Sequence, residues 1–509
     1  MLHDSNRPLA PPGRGQPRTR DRMSLYLAAL GIGAASVALA FTVPRFCHWF
    51  LVPVALCGVA IGTDGIDWLR DRLDVFDPAG LMGILGLHFF FVAPLLHVGL
   101  DHWLREVVPP SDWRPWLGGM AALNLCGLIA YHIASRRGGD PRATRGRPSR
   151  YWAIRERRFA LALCALLLLT ASIQAWIYYK YEGILGYITA FETRPDAFRG
   201  MGWTFTISES FPILALMGYA VFRRRGRRPP SWVELLLVLV AFFVLKMLFG
   251  GLRGSRSNTV WGLFWAVGIV HFSIRRVPRR FLYAGLALLL VFLYGYGFYK
   301  SSGLEGLGAF ASGESQDLLE SHASRSPQAM LLNDLGRSDV QATVLRATTE
   351  RGGDYHYAFG RTYVGALVLL VPRAVWPNRP PTKVFEGTEA LHGAGTFCGE
   401  EIGSFRSSRV YGLAGEAMLN FGPLAVPVAF FLLGTWVAAV RRWARTWHPG
   451  DLRWLLFPFL VNLSLVILYS DSDNIVVFVV KNGLLPAALV LCGGRSARGE
   501  QPTERAIPV

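Results

Sequence analysis

An all-α, polytopic membrane bundle of about twelve transmembrane helices, with one large external loop, is the architecture this sequence predicts. Charged residues make up only 17% of its 509 residues, the hydrophobic share is 52%, and the mean hydropathy is +0.30. Soluble domains carry about a quarter charged residues. The apolar residues fall in unbroken runs such as FALALCALLLLTASIQAWIYY (159–179) and FLYAGLALLLVFLYGYGF (281–298), and roughly 20 such residues in a helix cross a bilayer. Backbone groups in lipid must be satisfied within the segment, so these runs read as helices.

In chain order, a basic arm (1–22) precedes nine spans within 23–299, at 23–43, 46–62, 79–99, 113–134, 159–179, 203–222, 231–249, 259–274 and 281–299. A loop of domain-like length follows (300–410), then spans at 411–440, 453–470 and 475–492, and a tail (493–509). Loops this long are functional or disordered. Residues 315–348 carry apolar residues at helical spacing, which suits short amphipathic helices on the membrane surface. The run YVGALVLLVPRAVWPNRPPTK (363–383) has an apolar part too short to span and stops at a proline, so a re-entrant or interfacial hairpin is expected there.

A net charge of +18 raises the question of nucleic acid. Its distribution argues otherwise. Arginines crowd the arm, then 135–158, RRRGRRPP (223–230), RRVPRR (275–280) and RRWART (441–446). Twelve spans put all of these on one side, as the positive-inside rule requires of cytoplasmic segments. No nucleic-acid motif accompanies them. Both termini are then cytoplasmic, while 250–258 and 300–410 face outside. The six cysteines suggest no disulfide framework. His322, His356 and His392 lack the spacing of metal ligands, so no metal or cofactor is expected.

The outer face should be poor in arginine, yet FGGLRGSRSNTVWG (249–262) places Arg253 and Arg256 there, and Arg361, Arg373, Arg379, Arg406 and Arg409 add to them. Arginine's planar fork matches phosphate oxygens. The pair is therefore a candidate grip on a lipid-linked phosphate, the alternative being contact with headgroups or loop carboxylates. In YGLAGEAMLNFG (411–422), Glu416 and Asn420 share a helical face. A carboxylate at membrane depth is a functional-site hypothesis, against which stands an ion pair between Glu416 and an arginine. Lys481 is expected to pair with Asp471 or Asp473.

Four stretches resemble the Wzy-type O-antigen polymerases, or oligosaccharide repeat-unit polymerases, relatives of the O-antigen ligases. DVFDPAGLMGILGLHFFFVAPLLH (74–97) is similar to that family's acidic entry into an early span, and GLRGSRSNTVWGLFWAV to its Gly-Ser-Arg opening of a middle span. LVPRAVWPNRP (370–380) is similar to its Pro-Arg-x-x-Trp-Pro-x-Lys-Pro loop, with Arg379 in place of lysine. GLAGEAMLNFGPLAVPVAFFLLG (412–434) is similar to its Gly-Glu-x-x-x-Asn-Phe-Gly span. The resemblance implies a membrane glycosyltransferase that polymerises undecaprenyl-diphosphate-linked oligosaccharide on the outer face of the bacterial inner membrane, for O-antigen or another surface polysaccharide. Its implied partners are that lipid-linked substrate, membrane lipids and a polysaccharide chain-length regulator. It implies catalytic roles for Arg256, Arg253 and Glu416, and substrate contacts for Arg373, Arg379, Trp376 and Asn420. An O-antigen ligase, another polyprenyl-phosphate glycosyltransferase, and a lipid-linked glycan flippase are the competing readings.

Overall fold

The computed structural model describes residues 22–498 except 105–106, 109, 138–149, 194, 199, 225–229, 254–255, 313–330, 333–335, 351–354, 373–374 and 399–408. The chain is built from helices: α1 (Arg22–Thr42), α2 (Leu51–Leu69), α3 (Pro78–Gly99), α4 (Arg114–Arg137), α5 (Glu156–Lys180), α6 (Gly183–Thr193), α7 (Gly202–Ser208), α8 (Phe211–Arg223) and α9 (Trp232–Leu248). Then come α10 (Arg256–Ile269), α11 (Arg279–Ser312), α12 (Ser338–Thr349), α13 (Arg361–Val368), α14 (Lys383–His392), α15 (Gly412–Phe421), α16 (Ala425–Thr446), α17 (Phe457–Tyr469) and α18 (Ser472–Gly493). Among the described residues, nine helical segments are long and apolar enough to cross a membrane. Two predicted spans are shorter in the structure, since α9 has 17 residues and α17 has 13, while α10 has 14 and continues as a π turn at Val270–Ile274.

The surface inverts the aqueous pattern. Leu30, Phe41, Leu168, Leu237, Leu288 and Leu432 are all exposed on these helices, which is what a hydrocarbon surround rewards and water does not. Between helices, small residues set the contact. A Cβ on Gly83 would lie 2.2 Å from the Gly65 amide nitrogen, so α2 and α3 touch backbone to backbone, and one on Gly434 would lie 2.5 Å from the Tyr131 carbonyl oxygen where α16 crosses α4. Without a hydrophobic drive between helices in lipid, such close packing carries much of the association.

Described arginines of three arginine-rich segments are tied into the bundle. Asp77 caps α3 through the Ala79 amide and also takes Arg441 of α16 at 3.1 Å. Arg223 at the end of α8 meets Glu234 at the start of α9 at 2.9 Å, and Arg279 donates to the carbonyl of Leu73. The expected all-α character needs one amendment here. Strands β1 (Arg150–Ile154) and β2 (Gly494–Arg498) pair antiparallel, with Arg150 opposite Arg498, so the lead-in to α5 is joined to the segment after α18.

Two boundaries also shift. The predicted span 411–440 is two helices, because Gly422 (φ +79°) and Pro423, which lacks an amide hydrogen, end α15. Only α16 has crossing length, and Glu416 lies on the short helix before it. The predicted boundary at 300 falls inside α11, which continues to Ser312. Of the predicted surface helices in 315–348, the described part is residues 331–332 and 336–348, which include all of α12 but its last residue. Where the hairpin at 363–383 is expected, the structure has α13, eight residues, and described non-helical residues at 369–372 and 375–382 before α14.

Gly83→Ala is expected to force α2 and α3 apart and to destabilise the protein by about 1–3 kcal/mol. Thermal unfolding of the purified protein measures this, with Gly31→Ala, where a Cβ would meet nothing within 4 Å, as the silent control.

Candidate functional site

Two buried polar assemblies lie at the end opposite the arginine-rich segments, the end that carries 249–253 and the helices α12–α15. The first centres on Glu209, which the sequence reading did not single out. The span Gly202–Arg223 breaks at Glu209–Ser210, between α7 and α8, just before Pro212. Seven residues into the span, roughly 10 Å along a helix, the Glu209 side chain is 1% exposed. Irregular backbone at this depth is tolerated only where protein or a polar cavity satisfies it. The carboxylate accepts hydrogen bonds from Arg253 and from the Asn258 amide, and meets Lys481 Nζ at 2.7 Å. Lys246, also buried, donates to the Glu209 carbonyl oxygen at 3.4 Å.

The surroundings hold this arrangement in place. The Arg253 guanidinium stacks 3.7 Å from the centre of the Phe205 ring, on the same broken helix. Tyr299 of α11 donates to the Leu252 carbonyl at 2.6 Å, and Tyr296 to that of Gly251. Gly250 is required where it stands, since a Cβ there would lie 2.5 Å from the Glu209 carboxyl carbon. Lys481 sits within a π turn, Val479–Gly483, a distortion frequent at functional sites. Its expected partners are corrected here. Asp471 and Asp473 lie eight to ten residues away on the same element, about 12–15 Å along a helix, and the lysine instead crosses to Glu209.

Three cations against one carboxylate leave two positive charges uncompensated among the described side chains. Two polar atoms in the cluster lack hydrogen-bond partners, Arg253 Nε and Asn258 Oδ1. Such a site is electrostatically prepared for an anion.

The second assembly carries Glu416 and Asn420. Glu416 accepts from the Thr362 hydroxyl at 2.8 Å and the Ser472 amide at 2.6 Å, a carboxylate at the start of α18 where the helix dipole favours it. Asn420 donates to Thr362 Oγ1 at 2.7 Å and accepts from the Gly360 amide at 2.9 Å. Glu416 is thus bonded to hydroxyls and an amide, in place of the arginine partner considered for it. Burial, with the Asp471 carboxylate nearby, raises the Glu416 carboxyl above the ordinary glutamate range. Asp471 accepts from the amides of Tyr411 and Gly412 and binds Lys383, which also reaches Asp473 at 3.4 Å. These bonds tie α13, α14, α15 and the start of α18 together.

The remaining candidates divide. Arg253 lies in the first assembly. Arg256 opens α10, but its side chain, like all of Arg373, is outside the described residues; so are His322 and Arg406. Arg379 donates to the carbonyls of Leu369 and Val371 at 3.2 and 3.0 Å, bracing its own loop. Trp376 is exposed. Arg361 engages buried Glu386 at 2.8 Å. The loop reaches the first assembly's helix where Trp203 Nε1 donates to the Leu370 carbonyl at 3.2 Å. Beside Trp203, an apolar groove of about 410 Å³ runs between α5 and α7, lined by Leu169, Ile173, Trp176 and Ile207. Lys180 lies at its end, 5.6 Å from the Trp176 ring. Among the described residues, no group of three His, Cys, Asp or Glu side chains is placed to hold a metal ion.

Glu209, Lys246 and Lys481 carried a usable signal, since an ionisable residue inside a membrane span is a functional hypothesis by default. Comparison with family models, curated proteins and solved structures finds no match to this chain.

Gly250→Ala is expected to displace Glu209 from Arg253 and abolish function at normal membrane abundance, measured by complementation beside an immunoblot. Asp471→Ala should cost about 3–5 kcal/mol by stranding Lys383. Adding Lys383→Met should recover much of that loss in thermal unfolding, and no recovery would mean that Asp471 acts mainly through the Tyr411 and Gly412 amides.

Proposed function

We propose that this chain polymerises undecaprenyl-diphosphate-linked oligosaccharide repeat units on the outer face of the bacterial inner membrane. The observation that carries the reading is the surplus of positive charge around Arg253, on a broken helix that touches, through Trp203 and Leu370, the loop with the Pro-Arg-x-x-Trp-Pro pattern. In the proposed reaction the bond between the donor sugar's anomeric carbon and the diphosphate oxygen breaks. The electron pair leaves with the diphosphate, an acceptor sugar hydroxyl bonds to the anomeric carbon, and its proton passes to a base. Fixed cations aimed at the leaving oxygen lower the barrier because the charge develops there. Arg253 fills that role, with Arg256 and Arg373 from the adjoining segments; Lys246 and Lys481 deepen the local potential. The groove beside Trp203 offers apolar walls to an isoprenoid chain. Glu416 and Asn420 support the loop in this scheme, and Trp376 and Arg379 shape its outer rim.

A second reading draws on the broken helix. Ionic groups at a discontinuous helix inside a span are what transporters use to hold a charged substrate, so a lipid-linked glycan flippase would employ the same cluster. One experiment separates them. A strain lacking the gene is complemented with wild type, Arg253→Ala or Arg256→Ala, and surface glycan is resolved by length. Polymerisation predicts a ladder with wild type and single repeats with either variant at equal abundance, a loss on the order of 10²–10³ in rate. Single repeats trapped on the cytoplasmic side of the gene-deficient strain would establish the flippase. Long polymer held on the lipid carrier and absent from its final acceptor would establish a ligase.

A further inference from the structure

We infer that Glu209 is an internal stand-in for the substrate's diphosphate, holding the anion seat until the lipid diphosphate binds and displaces it. The inference rests on the proposal that this site handles a lipid diphosphate, and adds how the seat is kept and emptied. The donors around Glu209 suit phosphate: a guanidinium, an ammonium and a side-chain amide converge on one carboxylate, with a second ammonium against its backbone carbonyl. One carboxylate is too little charge for them. A lipid–diphosphate–sugar diester brings two negative charges and the departing lipid diphosphate brings about three, so the three cations match the anion better as the glycosidic bond breaks. An interaction that strengthens in that direction favours the transition state over the bound substrate.

A seat lined by buried Lys246 and the partly buried Arg253 and Lys481 would be costly in a span without an anion, because a buried charge without a counter-charge is strongly destabilising. A resident carboxylate removes that cost, and the chain has placed one where it can move. Glu209 lies at the joint between α7 and α8, so its side chain can withdraw by a change at Glu209–Ser210 without unwinding either helix. Arg253 keeps a fifth of its side chain exposed, and its buried Nε makes no hydrogen bond among the described residues. The exposed part of that side chain is the entry for an incoming phosphate. Gly250 packs against the Glu209 carboxylate, so that side of the seat has no room for a second anion.

The test compares wild type with Glu209→Gln, purified in lipid nanodiscs, with undecaprenyl diphosphate as the probe. Glu209→Gln keeps the shape and removes the competing charge. Without the probe it should unfold at lower temperature than wild type. With the probe it should bind about tenfold more tightly or better, because apparent affinity is reduced by the fraction of molecules whose seat is filled. Its unfolding temperature should also rise by more than that of wild type. Unchanged or weaker binding by Glu209→Gln, with wild type binding normally, would overturn the stand-in role and make Glu209 a positioning residue for Arg253 and Lys481; the proposed polymerase would survive. No binding by either protein would remove the diphosphate site itself, and the stand-in with it. Wild type alone supplies a second readout that holds even if the variant fails to fold. Carbodiimide labelling of the Glu209 carboxyl, followed by mass spectrometry, should rise when undecaprenyl diphosphate is added, and unchanged labelling under saturating probe would overturn the inference.

Discussion

Charge taken below the surface of a bilayer must be neutralised by the protein that carries it, and this chain organises both of its ends around that requirement. On the arginine-rich end, Asp77 meets Arg441, linking segments that are distant in sequence. On the other end, Asp471 holds Lys383, and Glu209 gathers Arg253, Lys246 and Lys481. Buried ion pairs contribute little net stability, yet breaking one is expensive. They therefore fix which segments stay together more than how firmly they do so. That is the property a membrane protein needs when most of its outer surface is greasy and laterally uniform.

Apolar packing does the complementary work. Glycines at positions 65 and 83, and at 434 against the Tyr131 carbonyl, bring helix backbones into direct contact. The polar bonds then choose partners among helices that would otherwise fit several ways. The helix breaks fall where the polar bonds are. Glu209 sits at one, and the Gly422–Pro423 break ends the helix that carries Glu416 and Asn420.

Much of this organisation was legible in the sequence, for identifiable reasons. Span positions follow from apolar length, and the common end of the arginine clusters follows from their alternation with the spans. The pairing of Glu416 and Asn420 on one face follows from helical period. Partner identity was not legible. Lys481 has two acids nearby in sequence and one far away, and a helix rising about 1.5 Å per residue puts the near ones out of reach. Glu209 is a single acid in a serine-containing stretch, SESFP, that reads as the middle of an ordinary span. The break that exposes its importance depends on tertiary contacts with α9, the 250–253 turn and α18. The β1–β2 pair was hidden for another reason, since each strand lies beside a basic segment whose charge dominates its appearance.

That strand pair also bears on how the molecule is made. Residues 150–154 leave the ribosome some 340 residues before their partners at 494–498 exist. Throughout that interval the lead-in to α5 has no strand to zip against, and α18, against which α5 packs, has not been synthesised. The fifth crossing helix must therefore enter the bilayer with one flank open to lipid and wait. The β1–β2 ladder therefore closes only after the nine candidate spans among the described residues have been made.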